Sequence, residues 1–384
     1  MRPSVDKLSN TKSFQKEITR PQRDGSTSNA PLLVAIEPTT RCNFKCVHCS
    51  RATSKEPRTD MSAELFQAVV PASRFALEVY LFGDGEVLLN VPQHLAMISR
   101  VHQQNPGCRL GFSTNGRLLT QDVYQQYSTA GIQYIQVSVD AATKELYETM
   151  RRGGRFDDLA RNLEGVAAWR RRFSVSQPDL ILATVISQQN YRELPELAQF
   201  AQKYGFSHWY INVEAPQNPG RDLLCLTNED RSELARIKTR IADTYGSSFS
   251  MRFDSAIGLS GETTDRWVEQ ESRVFCAAPW QQFEVKANGD VKVCPYFHRP
   301  ICSMVGRSFE DVWNGPEFRQ VRKSFTTRAD IPSCCTNCTL DIRKQFLPDS
   351  PALVGIQSVN VSTWVLRGAR RLKKFISRRP VNTR

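Results

Sequence analysis

The 384-residue sequence predicts an α/β fold: a partial (β/α)6 barrel followed by a small cysteine-rich domain with a β-hairpin and helices. Three observations predict it. Short apolar runs alternate six times with helix-like segments between residues 32 and 213, the pattern of parallel strands joined by crossover helices. That span of about 180 residues falls short of the roughly 250 of a complete eightfold barrel, so the barrel is open. Beyond residue 275 the alternation gives way to six cysteines and a hairpin signal.

Residues 1–30 are rich in Ser, Thr, Asn, Lys and Arg, lack apolar periodicity and read as a flexible leader. The first strand is the apolar run Leu32 to Ile36. Further strands are expected at Leu77 to Phe82, Arg109 to Ser113, Tyr134 to Val139, Ile181 to Ile186 and Trp209 to Val213. Ser62 is placed to cap a helix that runs to Val70, with Glu64 in its first turn. Pro92 suits the first turn of the next helix. A third, from Thr120, ends at Gly131. Helices over 156–173 and 192–204 complete the core, assigned to residues 31–220. Residues 221–275 read as a connecting segment with a helix from Asn228 to Tyr245. Asn288-Gly289-Asp290, between Phe283–Val285 and Val291–Val293, signals a hairpin. Ser308 to Phe325 reads as helical, inside an auxiliary domain spanning 276–345.

Lys and Arg number 51 against 39 Asp and Glu, a net charge of +12. Such a balance first suggests an anionic partner. The excess is terminal, however. Residues 351–384 hold eight basic and no acidic residues, residues 1–30 six and three, and residues 31–350 are near neutral at 37 and 36. A nucleic-acid partner is therefore not expected. No run of 18 apolar residues occurs, and the polar N-terminus lacks a secretory h-region. The expected location is the cytoplasm. The tail, 346–384, places Val361, Trp364, Val365, Ala369, Leu372 and Phe375 at helical spacing among basic residues. It is a candidate for peripheral contact with an anionic membrane, against the plainer reading of a helix docked on the body.

Eleven cysteines in a chain without an export signal point to metal binding or chemistry rather than disulfides. Cys42, Cys46 and Cys49 form C-x3-C-x2-C on the loop after the first strand. Three such thiolates can hold three irons of a [4Fe–4S] cluster and leave the fourth open to a small molecule. A zinc site completed by His48 is the alternative. Cys276 and Cys294 bracket the hairpin, and Cys335 and Cys338 form a C-x2-C after Ile331-Pro332. A zinc ribbon would suit that set too.

Together these patterns resemble the radical S-adenosylmethionine (SAM) superfamily with a C-terminal SPASM or shorter twitch extension. The run Cys42-Asn43-Phe44-Lys45-Cys46-Val47-His48-Cys49 carries the first part of the resemblance. Cys276…Gly289-x4-Cys294, Val312-Trp313-Asn314 and Cys335-x2-Cys338 carry the second. The resemblance implies that the open iron binds SAM and that one electron from the cluster cleaves it. The resulting 5′-deoxyadenosyl radical then abstracts hydrogen from a substrate; the cofactor supplies this chemistry and the protein positions it. It implies Cys42, Cys46 and Cys49 as ligands of the SAM cluster, and Cys276, Cys294, Cys335 and Cys338 as ligands of one auxiliary [4Fe–4S] cluster. A full SPASM domain carries two auxiliary clusters, and no cysteine follows Cys338. Cys334 is placed to exchange with Cys335.

The resemblance further implies SAM-binding roles for several residues. Gly85 and Glu86 end a segment, Phe82 to Glu86, that looks like the family's Gly-Gly-Glu-Pro motif, from which Asp84 and Val87 depart. Ser113 and Asn115 follow the third strand, and Ser138 and Asp140 the fourth. Arg152 is aligned with an arginine directed at the SAM carboxylate. His48 takes a position near adenine that is usually aromatic or apolar. Cys108, Cys225 and Cys302 read as small buried hydrophobes, with a thiol hydrogen donor as the sharper alternative for Cys225 and Cys302.

The single four-cysteine auxiliary set, with 17 residues between Cys276 and Cys294, resembles that of twitch-containing sugar-alcohol dehydrogenases, and the resemblance implies a small-molecule substrate, sugar- or cyclitol-like, with the auxiliary cluster accepting an electron. Peptide or protein maturation is the alternative. A zinc-stabilised basic nucleic-acid binder is the non-enzyme alternative. An electron donor such as flavodoxin or ferredoxin is the expected partner.

Overall fold

The computed structural model describes residues 5–213, 226–253, 274–295, 297 and 299–336. Cys225, Cys338 and the basic tail lie outside the described residues. The strands are β1 (Leu33–Ile36), β2 (Glu78–Leu81), β3 (Arg109–Thr114), β4 (Tyr134–Ser138), β5 (Asp179–Ile186), β6 (His208–Val213) and β7 (Ser250–Phe253). They lie parallel and in sequence order. Six of them fall where the apolar runs place them. β7 is additional, a half-polar Ser-Met-Arg-Phe segment that continues the sheet beyond β6.

Among the described residues every long helix packs on one face of this sheet. Val34, Ile36, Val79, Leu81, Leu110, Phe112, Ile135 and Val137 meet Phe66, Met97, Tyr124, Leu159 and Leu197 from the helices in one large core. Alternation then turns the intervening residues the other way. Leu33, Ala35, Tyr80, Tyr134, Ile181 and Tyr210 form a second, separate cluster there. Helices on a single face distinguish a curled, barrel-like sheet from a doubly wound one. The expected start and stop signals operate: Ser62 Oγ accepts from Leu65 N at 3.1 Å, Thr120 Oγ1 from Val123 N at 3.3 Å, and Gly131 follows its helix at φ +79°.

The auxiliary domain joins the same sheet. β8 (Gln282–Val285) pairs in parallel with the outer edge of β1, and β9 (Asp290–Lys292) and β10 (Cys302–Ser303) follow antiparallel. Gly289 takes φ +91° in the expected turn, and Lys286 N donates to Asp290 O at 2.8 Å to close it. The single helix expected from Ser308 is two, Phe309–Trp313 and Pro316–Thr327, because Gly315-Pro316 breaks it.

The expected flexible leader is instead a helix, Val5–Thr19, followed by an ordered connection. Phe14 and Ile18, four residues apart and so on one helical face, are buried. Asn10 braces Ala30 through both its amide atoms, Asn29 Nδ2 donates to Trp280 O at 2.6 Å, and Trp313 Nε1 donates to Asn29 O at 2.7 Å. The leader thus packs against the auxiliary domain, three hundred residues away in sequence. Among the described residues no helix is long and apolar enough to cross a membrane.

Candidate active site

The loop after β1 carries Cys42, exposed, Cys46, 8% exposed, and Cys49 between these extremes. Backbone bonds shape it. Phe44 N points at Cys42 Sγ at 3.4 Å, and Cys49 N donates to Cys46 O at 3.1 Å. Lys45 N donates to Arg152 O and Val47 N to Met150 O, at 2.8 and 2.9 Å, so the segment after residue 149 clamps the loop from one side. Burial pushes the Cys46 thiol up to about 11, with Arg151 opposing, and raises Cys42 as well. A buried thiol of this kind ionises when a metal takes its sulfur. Among the described residues no three His, Cys, Asp or Glu stand close enough to share one ion. A four-iron cube asks for no such convergence, since each thiolate meets its own iron. Three soft donors on one clamped loop therefore fit such a cluster.

Behind the loop lies a buried charge network. Asp140, fully buried, accepts from Val185 N at 2.9 Å through Oδ1, while Oδ2 meets Arg151 Nη2 at 2.7 Å and His48 Nε2 at 3.4 Å. Asn190, also fully buried, donates to Asp140 O at 2.7 Å. Asp140 and His48 thus orient the cysteine loop from within. Arg151, rather than Arg152, is the inward arginine: the Arg152 side chain is exposed and only its carbonyl serves the loop. Within the basic run Arg151 to Arg155 the sequence offers no signal that distinguishes the two neighbours.

Gly85 and Glu86 lie on the loop after β2. A Cβ on Gly85 would stand 2.3 Å from Thr39 O, so only glycine lets this loop lie against the one that leads into the cysteines. Glu86, 2% exposed, is fully occupied. Its Oε1 accepts from Thr114 Oγ1 at 2.8 Å and Leu88 N at 3.1 Å, its Oε2 from Asn115 N at 2.7 Å, and its own N–H donates to Arg41 O at 2.7 Å. Burial raises its pKa against these hydrogen bonds. Glu86 therefore ties the loops after β1, β2 and β3 together. Asn115 Nδ2 reaches Asn43 Oδ1 at 2.8 Å inside the cysteine motif, and Ser113 Oγ pairs with Tyr80 OH at 2.8 Å. Ser138 ends β4, partly buried, on the face away from the helices.

Two features escape the sequence. The first is a cluster at the ends of β1, β2 and β8. Glu37 Oε1 accepts from Asp84 N at 2.7 Å and Lys286 Nζ at 3.2 Å, and its Oε2 accepts from Ala287 N at 3.1 Å. Lys286 also lies 3.6 Å from Asp84 Oδ2 and 3.9 Å from Glu284 Oε1. These carboxylates hold the Lys286 ammonium well above its ordinary range against its burial. Asp84, the departure from the family motif, thus pairs with a lysine of the auxiliary hairpin. The second is a polar floor on the inner face. Tyr134 OH donates to Glu78 Oε1 at 2.5 Å and the Arg109 guanidinium lies over the Tyr134 ring at 4.6 Å. Gly111 leaves room for that ring, which a Cβ would meet at 2.3 Å.

Of the auxiliary cysteines, Cys294 is buried directly after β9, and Cys276 and Cys335 are partly buried. Cys334 Sγ lies 3.9 Å from Cys335 Sγ. Cys108 is buried in the main core, as a small hydrophobe would be, and Cys302 is half-buried on the edge strand β10.

Two family models match the chain, one over the sheet and one over the auxiliary domain. Residues 36–201 match the model of the radical SAM superfamily, and residues 276–339 match that of the SPASM iron–sulfur cluster-binding domain. The chain is 24% identical to mycofactocin maturase MftC of Mycolicibacterium smegmatis over 319 residues, 81% of this chain and 76% of that one. It is 29% identical to an AdoMet-dependent heme synthase of Methanosarcina barkeri over 199 residues, 50% of this chain and 53% of that one. Streptococcus suis SuiB bound to S-adenosylmethionine shares the fold, with TM-score 0.59 at 16% identity over 76% of this chain and 68% of SuiB. So does anSMEcpe with bound AdoMet, with TM-score 0.59 at 16% identity over 91% of this chain and 96% of that one.

Proposed function

Because this chain is a radical SAM enzyme with a C-terminal SPASM domain, using [4Fe–4S] clusters and SAM, we propose that it modifies a peptide or protein substrate by radical chemistry. The observation that carries this reading is the match to a mycofactocin maturase along four-fifths of the chain, through both domains. The sugar- or cyclitol-like substrate implied by the twitch-like layout of the auxiliary cysteines has less support than this alternative. A heme-precursor substrate is the second reading, favoured by heme synthase relatives whose matches cover from 50% of this chain at 29% identity to 88% at 22% identity.

In this reading Cys42, Cys46 and Cys49 hold the SAM cluster, and Cys276, Cys294, Cys335 and Cys338 hold one auxiliary cluster. Bound there, the cluster and SAM supply a 5′-deoxyadenosyl radical for hydrogen abstraction. The residues of the chain position and shield. Asp140 and Arg151 set the cysteine loop, and Glu86 and Asn115 fix the loops that face it. Gly85 lets backbone approach, and the Tyr80, Tyr134 and Tyr210 face excludes water from the interior. A flavodoxin- or ferredoxin-type protein supplies the electron.

The test is anaerobic turnover with SAM and dithionite, offering either candidate precursor peptides or an iron porphyrin precursor. The proposal expects 5′-deoxyadenosine to form with a matching mass change in a peptide. A mass change confined to the porphyrin would replace it with the second reading.

A further inference from the structure

Exposed cations gather on the outer side of the cysteine loop. Lys45 stands inside the motif with its side chain exposed. Its N–H is bonded to Arg152 O at 2.8 Å, which lays the segment 150–155 against the loop. Arg152 and Arg155, on that segment, are exposed too. Arg117, half-buried, donates through Nη1 to Gly153 O at 2.8 Å and adds a fourth cation at the edge of the patch. Among the described residues none of the four has a carboxylate within ion-pair distance. Of the acids flanking this segment, Asp157 pairs with Lys144 at 2.5 Å while also feeling Arg155, Asp158 pairs with Arg161 at 3.0 Å, and Glu148 Oε1 accepts from Phe156 N at 3.1 Å.

This concentration is not the overflow of a basic body, since residues 31–350 carry 37 basic and 36 acidic residues. It is also placed where it matters for electron entry. Cys42 is exposed on the same loop, and the backbone of Lys45 joins the patch directly to Cys46. Unpaired surface cations contribute little to stability, but they steer an oppositely charged partner and orient it. Electron-transfer encounters need only a small interface, typically under about 1,200 Å².

We propose that Lys45, Arg117, Arg152 and Arg155 form the docking surface for a small acidic electron-transfer protein. The proposal rests on the assignment of a cluster to Cys42, Cys46 and Cys49. One electron passes from the reduced carrier to the oxidised cluster. The carrier is left one electron more oxidised, and no covalent bond forms or breaks.

Lys45→Glu and Arg155→Glu, singly and together, test it in the full chain. Neither native side chain makes a hydrogen bond or ion pair among the described residues. An acidic residue at 155 also suits the N-terminus of the following helix. Iron content and urea midpoint check that the variants fold. The first readout is binding of purified oxidised flavodoxin at low ionic strength. The second is the rate of cluster reduction by reduced flavodoxin, set beside reduction by dithionite. The double variant is expected to lose roughly tenfold in flavodoxin affinity and in flavodoxin-driven rate, with the salt dependence of the native protein flattened. Dithionite reduction stays within about twofold, since a small reductant needs no docking surface. Flavodoxin binding that matches the native protein, or flavodoxin and dithionite rates that fall in parallel, overturns the proposal. Absence of SAM cleavage by the native enzyme with dithionite would strike the reading of the previous section instead. The binding measurement would still decide the surface.

Discussion

Glu86 shows how one buried carboxylate can tie the loops of a site together. It takes three donors, one each from Thr114, Asn115 and Leu88, at 2.7–3.1 Å. Glu86→Ala leaves those donors unpaired in a dry setting. Urea unfolding should show a loss of about 3 kcal/mol, and Glu86→Gln, which keeps an acceptor oxygen, should show less. SAM affinity should fall in the same order. His94 makes a different residue-scale prediction. It is 1% exposed, stands 2.8 Å from Tyr127 OH through Nδ1, and burial alone drives its pKa down to about 3. Its folded pKa lies below the unfolded value of about 6.5, so the unfolded chain binds the proton first as pH falls. Its contribution to stability is complete above pH 6.5 and is lost as the pH drops toward 3. Between pH 7 and 5.5 the native chain should lose about 1 kcal/mol more than His94→Gln in urea titrations. Equal losses would show that His94 does not stay neutral.

At the scale of elements, the informative contact is between β8 and β1. It makes the auxiliary domain a continuation of the catalytic sheet rather than an appendage. Lys286, 23% exposed, then sits among Glu37, Asp84 and Glu284 and joins the hairpin to the loop that leads to Gly85 and Glu86. Lys286→Met would leave three carboxylates without their cation. A stability loss of about 2–3 kcal/mol is expected, together with weaker SAM binding measured by calorimetry. Native SAM affinity in this variant would show that SAM binding does not depend on the tie between the hairpin and the loop of Gly85 and Glu86. The sequence announces some elements and hides others for identifiable reasons. β1 to β6 are apolar runs bounded by turn residues, and Asn288-Gly289-Asp290 supplies the positive φ that its turn demands. β7 is short and half polar, so nothing but its pairing with β6 marks it. The leader helix carries few apolar residues, and Phe14 and Ile18 acquire meaning only against a domain encoded three hundred residues later. The cysteine spacing makes the first half of the site legible. The inward turn of Arg151 and the Asp84–Lys286 pairing depend on tertiary contacts that no local pattern encodes.

For the whole molecule, net charge is a poor guide and its distribution a good one. The near-neutral body carries the catalytic sheet, while most of the +12 belongs to the two termini. Within that body the helices cover one face of the sheet, leaving the other for polar and aromatic side chains beneath the cysteine loop. The leader, the auxiliary domain and the barrel edge share one packed core, so loss of the auxiliary domain would uncover β1 as well as remove its cysteines. The central claim is that a SAM-cleaving cluster sits on the loop of Cys42, Cys46 and Cys49, with a second cluster in the auxiliary domain. Iron, sulfide and zinc counts on anaerobically purified native and Cys46→Ala chains, with 5′-deoxyadenosine formation measured on the same samples, test it most directly. The account predicts about eight irons and SAM cleavage in the native chain, and about four irons and no cleavage in Cys46→Ala. Zinc in place of iron, or SAM cleavage that persists in Cys46→Ala, would contradict it.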